Sequence, residues 1–398
     1  MIHRIYLAPG MFGFGRLASY DYFAHVRRAL EERHRARGDE VETFVVDVQP
    51  TASVRRRAAQ LAKLVARTCE NDGGPIHLLG HSTGGLDARL VASPSAVLPI
   101  EANELSWLPR LASVTTLSTP HYGTPLASFF ATVSGQRVLY VLSAMTVVGL
   151  TLGAPPMAAA SAVVAALGGI DRAFGLEIGV IDRAAEMLLR VLDDARSREV
   201  RLYLDAIKQD QGGVIQLTPE AMDLFQAGIE NRAGVQYQST ATMAPPPTAS
   251  GWVRKITRPW SAMSHAVFTT LYGITARYDD RYPCAAPNAG VQAETVLARA
   301  FGRSPGARAN DGVVPLRSQI WGQLIWAGYA DHLDVLGHFA DDGAKPTGEG
   351  EVQHVDWLSS GASFDRDQFA RVMDAIAAGM RIVAAPAAKG DGARAHAE

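Results

Sequence analysis

The sequence predicts an α/β protein: one large domain on a mostly parallel sheet, with helices on both faces and a helical insertion. Three observations predict it. Short apolar runs alternate with helix-period stretches through the first third of the chain, as a parallel sheet with crossover helices requires. One strand-to-helix junction is a sharp, glycine-flanked turn, Gly80-His81-Ser82-Thr83-Gly84. The chain is also long enough, at 398 residues and 47% hydrophobic content, to bury a large core.

The elements follow in order. His3 to Ala8 reads as the first strand and Val41 to Val48 as another. Val54, Ala58, Leu61 and Val65 recur at helical spacing, which makes 54–65 a core-facing helix and places Arg55, Arg56 and Arg57 on a solvated face. Ile76 to Leu79 supplies the strand before Ser82, and a helix-compatible stretch runs from Leu86 to Val91. Val114 to Leu117 is the next strand, ended by the prolines and glycine of Thr119 to Pro125. The sheet resumes at Val235 to Gln238, after a long insertion. A second, irregular excursion follows, and Leu324 to Ala327 gives the last strand. Asp365 with Gln368 reads as a capping box opening a helix over about 366–383, whose stripe is Phe369, Val372, Met373, Ile376 and Met380.

The expected organisation is therefore an N-terminal core part over 1–127, a helical cap over 128–210, a C-terminal core part over 211–384 with the irregular excursion at 244–308, and a disordered tail over 385–398. A net charge of −2 leaves no basic footprint for nucleic acid, so small molecules are the expected partners. With 2 cysteines, Cys69 and Cys284, there is no thiolate metal cluster, and each reads as a buried or free thiol. The first strand begins almost at once, leaving no room for a leader, which makes the expected location cytoplasmic.

The turn at Ser82 carries the chemistry. Glycines on both sides of the serine keep side chains away, so its hydroxyl can project above the sheet as a nucleophile. A second match to the same pattern, Gly302-Arg303-Ser304-Pro305-Gly306, follows alanine-rich sequence rather than a strand. Pro305 has no N–H for an oxyanion, so Ser304 is expected on a surface loop.

A serine hydroxyl needs a base, an orienting acid and donors for the oxyanion. In a fold of this kind the partners follow in the order Ser, Asp or Glu, His. Asp311, in Asn310-Asp311-Gly312, is the candidate acid; the alternative is an ordinary turn residue. His332, after the last strand, is the candidate base. His338, His354 and His265 are its rivals, while His81 and His121 lie too near the turn in sequence. Thr83 and Met11 are the candidate oxyanion donors, the second because Pro9-Gly10-Met11-Phe12-Gly13-Phe14 directly follows the first strand.

These residues resemble the bacterial triacylglycerol lipases of the secreted, foldase-dependent type. The resemblance lies in Gly10 to Phe14, Gly80 to Gly84, Pro120-His121-Tyr122-Gly123, Asn310-Asp311-Gly312 and His332-Leu333-Asp334. It implies an α/β-hydrolase fold with a cap or lid insertion, a triad of Ser82, Asp311 and His332, and an oxyanion hole at Met11 and Thr83. Pro9 and Thr83 stand where the family usually has histidine, and its disulfide cysteine has no counterpart near Arg317. The resemblance also implies that Asp334 is the candidate calcium ligand. His338 stands where the family's glutamine ligand would be, a poor donor for a hard cation, so the expectation is a loop-stabilising Asp334 and no cofactor.

The stretch 138–170 holds no charged residue. A single membrane crossing there would separate Ser82 from Asp311, and a hairpin would leave arms of about fifteen residues, short of the ~20 needed. A pair of apolar cap helices is expected instead, with lipid contact through 138–170 as the alternative. The expected activity is hydrolysis of apolar acyl esters. Acyl transfer and a non-catalytic binding module of the same fold are the alternatives.

Overall fold

The computed structural model describes residues 2–11, 16–17, 20–70, 72–152, 187, 190, 194–247, 259–340, 354 and 356–380. Six strands form one sheet: β1 (Ile2–Ala8), β2 (Glu40–Val45), β3 (Ile76–His81), β4 (Leu111–Leu117), β5 (Gln236–Met243) and β6 (Gln323–Tyr329). Their spatial order is β2-β1-β3-β4-β5-β6, and every neighbouring pair is parallel. With helices on both faces, this is the α/β-hydrolase type of architecture that the sequence predicts.

Buried contacts cover both faces, which explains why the central strand β3 is buried along its whole length. Along β1, Ile5 and Leu7 pack with Val26 and Leu30 of α1 (Ala24–Ala36) and with Phe369 and Val372 of the C-terminal helix. Tyr6 and Ala8 point the other way, onto Ala58, Leu61 and Val65 of α2 (Val54–Thr68). The chain moves outward from β1 to β2 and then returns past β1 to β3, so the strand order reverses between β1 and β3. Loops leaving the carboxyl ends of two such strands open a crevice between them. Pro9 to Met11 leave β1 there and Ser82 leaves β3, so the topology itself delivers both to one place.

α3 (Thr83–Ala92) follows the turn. The insertion contains α4 (Pro125–Phe130), α5 (Val133–Leu152) and α6 (Asp194–Gln209). Val138, Leu139, Val141, Leu142 and Met145 of α5 are buried in the same apolar cluster as α1 and the sheet, and the rest of 138–170 beyond Leu152 lies outside the described residues. Among the described residues no helix is long and apolar enough to cross a membrane. Both cysteines are free, and burial pushes the Cys284 thiol up to about 12.

The structure corrects three expectations. The excursion at 244–308 is not irregular throughout, because it contains α7 (Pro259–Thr275) and α8 (Gly290–Phe301). α7 carries no charged residue to mark its outer face, and its serines, threonines and histidine blur the pattern; α8 buries Ala293, Leu297 and Phe301, a stripe begun by a small side chain. The closing helix α9 (Arg366–Gly379) has the predicted capping box but stops before 383, and the tail at 385–398 lies outside the described residues.

The third correction is Arg57. It is not on a solvated face: its side chain is fully buried, whereas Arg55 and Arg56 are exposed. The helical period explains it, since position 57 is three after Val54 and four before Leu61, inside the buried stripe. Arg57 Nε donates to Asp87 Oδ2 at 2.9 Å, Nη1 donates to the carbonyls of Gln49 and Pro50, and Nη2 donates to that of Pro9. Burial pushes the Asp87 carboxyl up to about 6 against the pull of Arg57, which still leaves it ionised at neutral pH. Removing one member of a buried pair strands the other charge. Asp87→Ala should therefore lose about 3–5 kcal/mol of unfolding free energy in urea, and the double variant Arg57→Met/Asp87→Leu should recover most of it. Equal losses in the single and double variants would show that the two charges do not depend on each other.

Candidate active site

Ser82 follows β3 with φ 53° and ψ −127°. A non-glycine residue at positive φ costs on the order of 1–3 kcal/mol, so the surroundings must hold it there. They do so by close backbone packing. Its N–H donates to the Leu117 carbonyl at 2.9 Å, and its own carbonyl accepts from Gly85 at 3.1 Å. A Cβ at Gly80 would lie 2.2 Å from the Gly84 backbone, one at Gly84 would lie 2.0 Å from the Ala8 carbonyl oxygen, and one at Gly85 would lie 2.0 Å from Thr119 Oγ1. Contacts that short exclude any side chain.

The donors for an oxyanion come from two directions. Thr83 is the first residue of α3, so its N–H has no acceptor within the helix and stands at the positive end of the helix dipole. On the other side Gly10 approaches so closely that a Cβ there would be 2.8 Å from Ser82 Cβ and 3.3 Å from Ser82 Oγ. Met11 lines one cavity with Ser82 and Thr83. Phe12, Gly13 and Phe14 lie outside the described residues.

Asp311 is both things that the sequence left open. Its Oδ1 accepts from the N–H groups of Val313 (2.9 Å) and Val314 (2.7 Å), which is turn chemistry. Its Oδ2 pairs with His332 Nδ1 at 2.8 Å, and also meets Gln319 Nε2 and Thr242 Oγ1, each at 3.3 Å. Thr242 belongs to β5, so the sheet itself helps to aim the carboxylate. An ionised carboxylate only accepts, so His332 Nδ1 carries the hydrogen and Nε2 keeps the lone pair that a base needs. The His332 N–H donates to the Asp311 carbonyl at 3.1 Å, tying the two loops a second time.

The rivals are engaged elsewhere. His265 Nδ1 meets the Ser359 carbonyl and His354 Nδ1 meets that of Gly337, while His338 is buried against His25, its pKa pushed down to about 3 by burial. His121 takes Arg89 on Nδ1 and Thr116 on Nε2, and burial holds it well below the usual histidine range. Ser304 is exposed beyond α8 and donates to Glu294 Oε2 at 2.9 Å, the surface position expected of it.

Sequence reasoning missed Tyr22 and His81. His81 Nε2 lies 2.9 Å from the His332 carbonyl, which can only accept, so Nε2 carries the hydrogen and Nδ1 is an acceptor. The Tyr22 hydroxyl, 2.7 Å away, therefore donates to Nδ1 and in turn accepts from the Gly10 N–H. Burial holds His81 well below the usual histidine range, which keeps it neutral as this chain of bonds requires. Gly10, Tyr22, His81 and His332 thus link the oxyanion loop to the base. No sequence signal marks Tyr22, whereas His81 could have been found as a buried polar residue that needs partners.

Asp334 tests the fit for calcium. Its Oδ2 accepts from the Asp331 N–H at 2.7 Å, and Asp331 Oδ1 accepts from the N–H groups of Leu333 and Asp334 at 2.9 and 3.2 Å. Asp356 accepts from the N–H and Oγ of Ser359. Burial, with Asp331 and Asp356 nearby, holds the Asp334 carboxyl well above the usual range. These oxygens suit a hard cation by type, but they are spent on the loop's own donors. The one group of described residues that brings three ligand atoms within 4.8 Å of one another lies at the far end of the sheet. The Asp331 and Asp334 carboxylates thus brace the loop that carries His332.

Beside His332 lies an apolar cavity whose lining includes Leu126, Phe130, Leu142, Leu271, Leu333 and Trp357. The cavity at Ser82 shares Leu126, Phe130 and Val313 with it, so α4 forms a common wall between Ser82 and His332.

No family model matches the chain. The chain is 34% identical over 145 residues to a triacylglycerol lipase from Pseudomonas fragi, which is 36% of this chain and 43% of that protein. It is 33% identical over 150 residues to a triacylglycerol lipase from Vibrio cholerae serotype O1, 37% of this chain and 41% of that protein. The match thus spans less than half the length of these curated relatives. Similar solved structures include EstA from Clostridium botulinum, with 18% identity, TM-score 0.47 and coverage of 93% of this chain and 87% of that one. Another is Staphylococcus hyicus lipase, with 17% identity, TM-score 0.44 and coverage of 94% and 96%.

The bond chain through His81 generates a test. His81→Phe keeps a buried ring but severs both hydrogen bonds, so turnover of a nitrophenyl ester should fall by about tenfold or more with KM nearly unchanged. Tyr22→Phe should fall in the same direction. A loss confined to KM would show that neither residue positions the reacting groups.

Proposed function

We propose that the protein is a serine carboxylic-ester hydrolase, of the lipase or esterase kind, acting on apolar acyl esters. The observation that carries the reading is the 2.8 Å bond from His332 Nδ1 to Asp311 Oδ2 beside a serine held at positive φ. In this reading Ser82 Oγ attacks the ester carbonyl as His332 Nε2 takes its proton, and Asp311 stabilises the imidazolium. The N–H groups of Thr83 and Met11 hold the oxyanion. The alkoxide leaves as an alcohol with the proton from His332, giving an acyl-Ser82 ester. Water, deprotonated by His332, then attacks that ester and releases the acid.

The substrate class follows from the walls. Leu126, Phe130, Leu142 and Leu271 offer no polar partner to a headgroup, but they suit an acyl chain, at roughly 0.8 kcal/mol per buried methylene. We propose further that the site works without a cofactor, its histidine loop being held by Asp331 and Asp334.

Three outcomes test this reading. Ser82→Ala should abolish both ester hydrolysis and fluorophosphonate labelling, with the rate falling by several orders of magnitude, while Ser304→Ala keeps nearly all activity; comparable losses in both would reject the elbow. Leu142→Asp should raise KM for decanoate esters far more than for acetate, because the charge must be desolvated only where the chain lies; equal effects would place the acyl chain elsewhere. Chelation of calcium should leave activity unchanged, and a large loss reversed by added calcium would overturn the metal-free reading of the Asp334 loop.

A further inference from the structure

At the end of the sheet away from Ser82, four side chains from separate elements meet. His3 lies on β1, His34 on the last turn of α1, Asp39 on the loop to β2 and His77 on β3. His3, His34 and Asp39 can each present one ligand atom within 4.8 Å of the others. The His3 and His34 rings are 4.9 Å apart, and His34 Nδ1 is 3.9 Å from Asp39 Oδ2, too long for a hydrogen bond. His34 is 1% exposed, yet neither of its nitrogens has a hydrogen-bond partner. A packing role does not account for that, since buried polar atoms are nearly always paired.

We propose that His3, His34 and Asp39 form a binding site for a zinc-class divalent ion, distinct from the ester-cleaving site and independent of it. Two imidazoles and a carboxylate, with a fourth position for water, are donors that Zn²⁺ takes in tetrahedral geometry. His77 completes the arrangement from behind. His3 Nδ1 is 3.0 Å from His77 Nε2, and His77 Nδ1 is 2.8 Å from Ser113 Oγ. Nδ1 of His3 is thereby occupied and its Nε2 is the nitrogen left for a metal, the kind of outer partner that fixes a ligating histidine.

Local structure supports the same reading. Asp39 N–H donates to the His34 carbonyl at 3.1 Å, closing a turn in which Gly38 takes φ 80°. That turn brings the carboxylate back over the helix end, whose dipole favours a cation. Asp39 is partly exposed and provides the entry path. Arg37 is the opposing charge, and it is drawn off to the Ala377 carbonyl. Zinc–ligand bonds of about 2.0–2.2 Å need the three atoms to close in somewhat from their present spacing, which the loop carboxylate can do. The ion would tie β1, α1 and the turn to β2 together, roughly 20 Å along β1 from Gly10.

The test uses the full chain stripped of metal by a chelator and then titrated with Zn²⁺ against a chromophoric competitor. One Zn²⁺ per chain is expected, with Tm rising in Zn²⁺ and not in Mg²⁺ or Ca²⁺. Asp39→Asn, at a partly exposed position that should leave the fold intact, should weaken zinc binding by about tenfold or more, and His34→Gln should abolish it. Esterase activity should stay unchanged in Asp39→Asn, which separates failure here from failure of the hydrolase reading. Absence of zinc binding by the unaltered chain, or equal affinity in Asp39→Asn, would overturn the proposal.

Discussion

Everything at the candidate active site depends on backbone segments passing one another with no side chain between them. β1, β3 and the start of α3 come so near that Gly80 and Gly84 have no space for even a methyl group. This crowding holds Ser82 at a positive φ that the residue would not adopt alone. It also sets where the hydroxyl can point, because the loop at Gly10 closes over it from the other side. The serine's position is thus a property of the sheet order, since only adjacency of β1 and β3 brings those two loops together.

Hydrogen bonds then transmit that geometry to the base. His332 is fixed from three sides: Nδ1 by Asp311, its N–H by the Asp311 carbonyl and its carbonyl by His81. His81 is the residue immediately before Ser82, so the element that aims Ser82 also aims His332. Arg57 performs the same service for the oxyanion loop, holding the Pro9 carbonyl from a fully buried position balanced by Asp87. Buried polar groups of this sort stabilise little by themselves, but once satisfied they specify one arrangement.

The sheet's two ends divide the polar groups by kind. At the carboxyl ends of the strands, loops bring backbone donors, a serine and an acid–base pair against apolar walls from α4, α5 and α7. At the amino ends the strands themselves contribute histidines, packed with one from α1. These come from segments far apart in sequence, and only strand register sets Ile5 opposite His77, which places His3 and His77 in reach of each other.

The sequence by itself determined what depends on local order. Short runs of strand-forming residues located all six strands to within a few residues, the capping box located the start of α9, and the glycine-flanked serine after a strand located the turn, because each is set by residues within a few positions. It also placed Asp311 and His332 by their order along the chain. The tertiary structure decided what depends on which distant segments touch. Arg57, on a face the sequence predicts to be solvated, packs against Asp87 and the Pro9 carbonyl, and α7 carries no charged residue to mark an outer face. His81 lies beside the turn in sequence, yet it bonds the backbone of His332, 251 positions away. Such partners are chosen by the three-dimensional path of the sheet, and no local pattern in the chain records them.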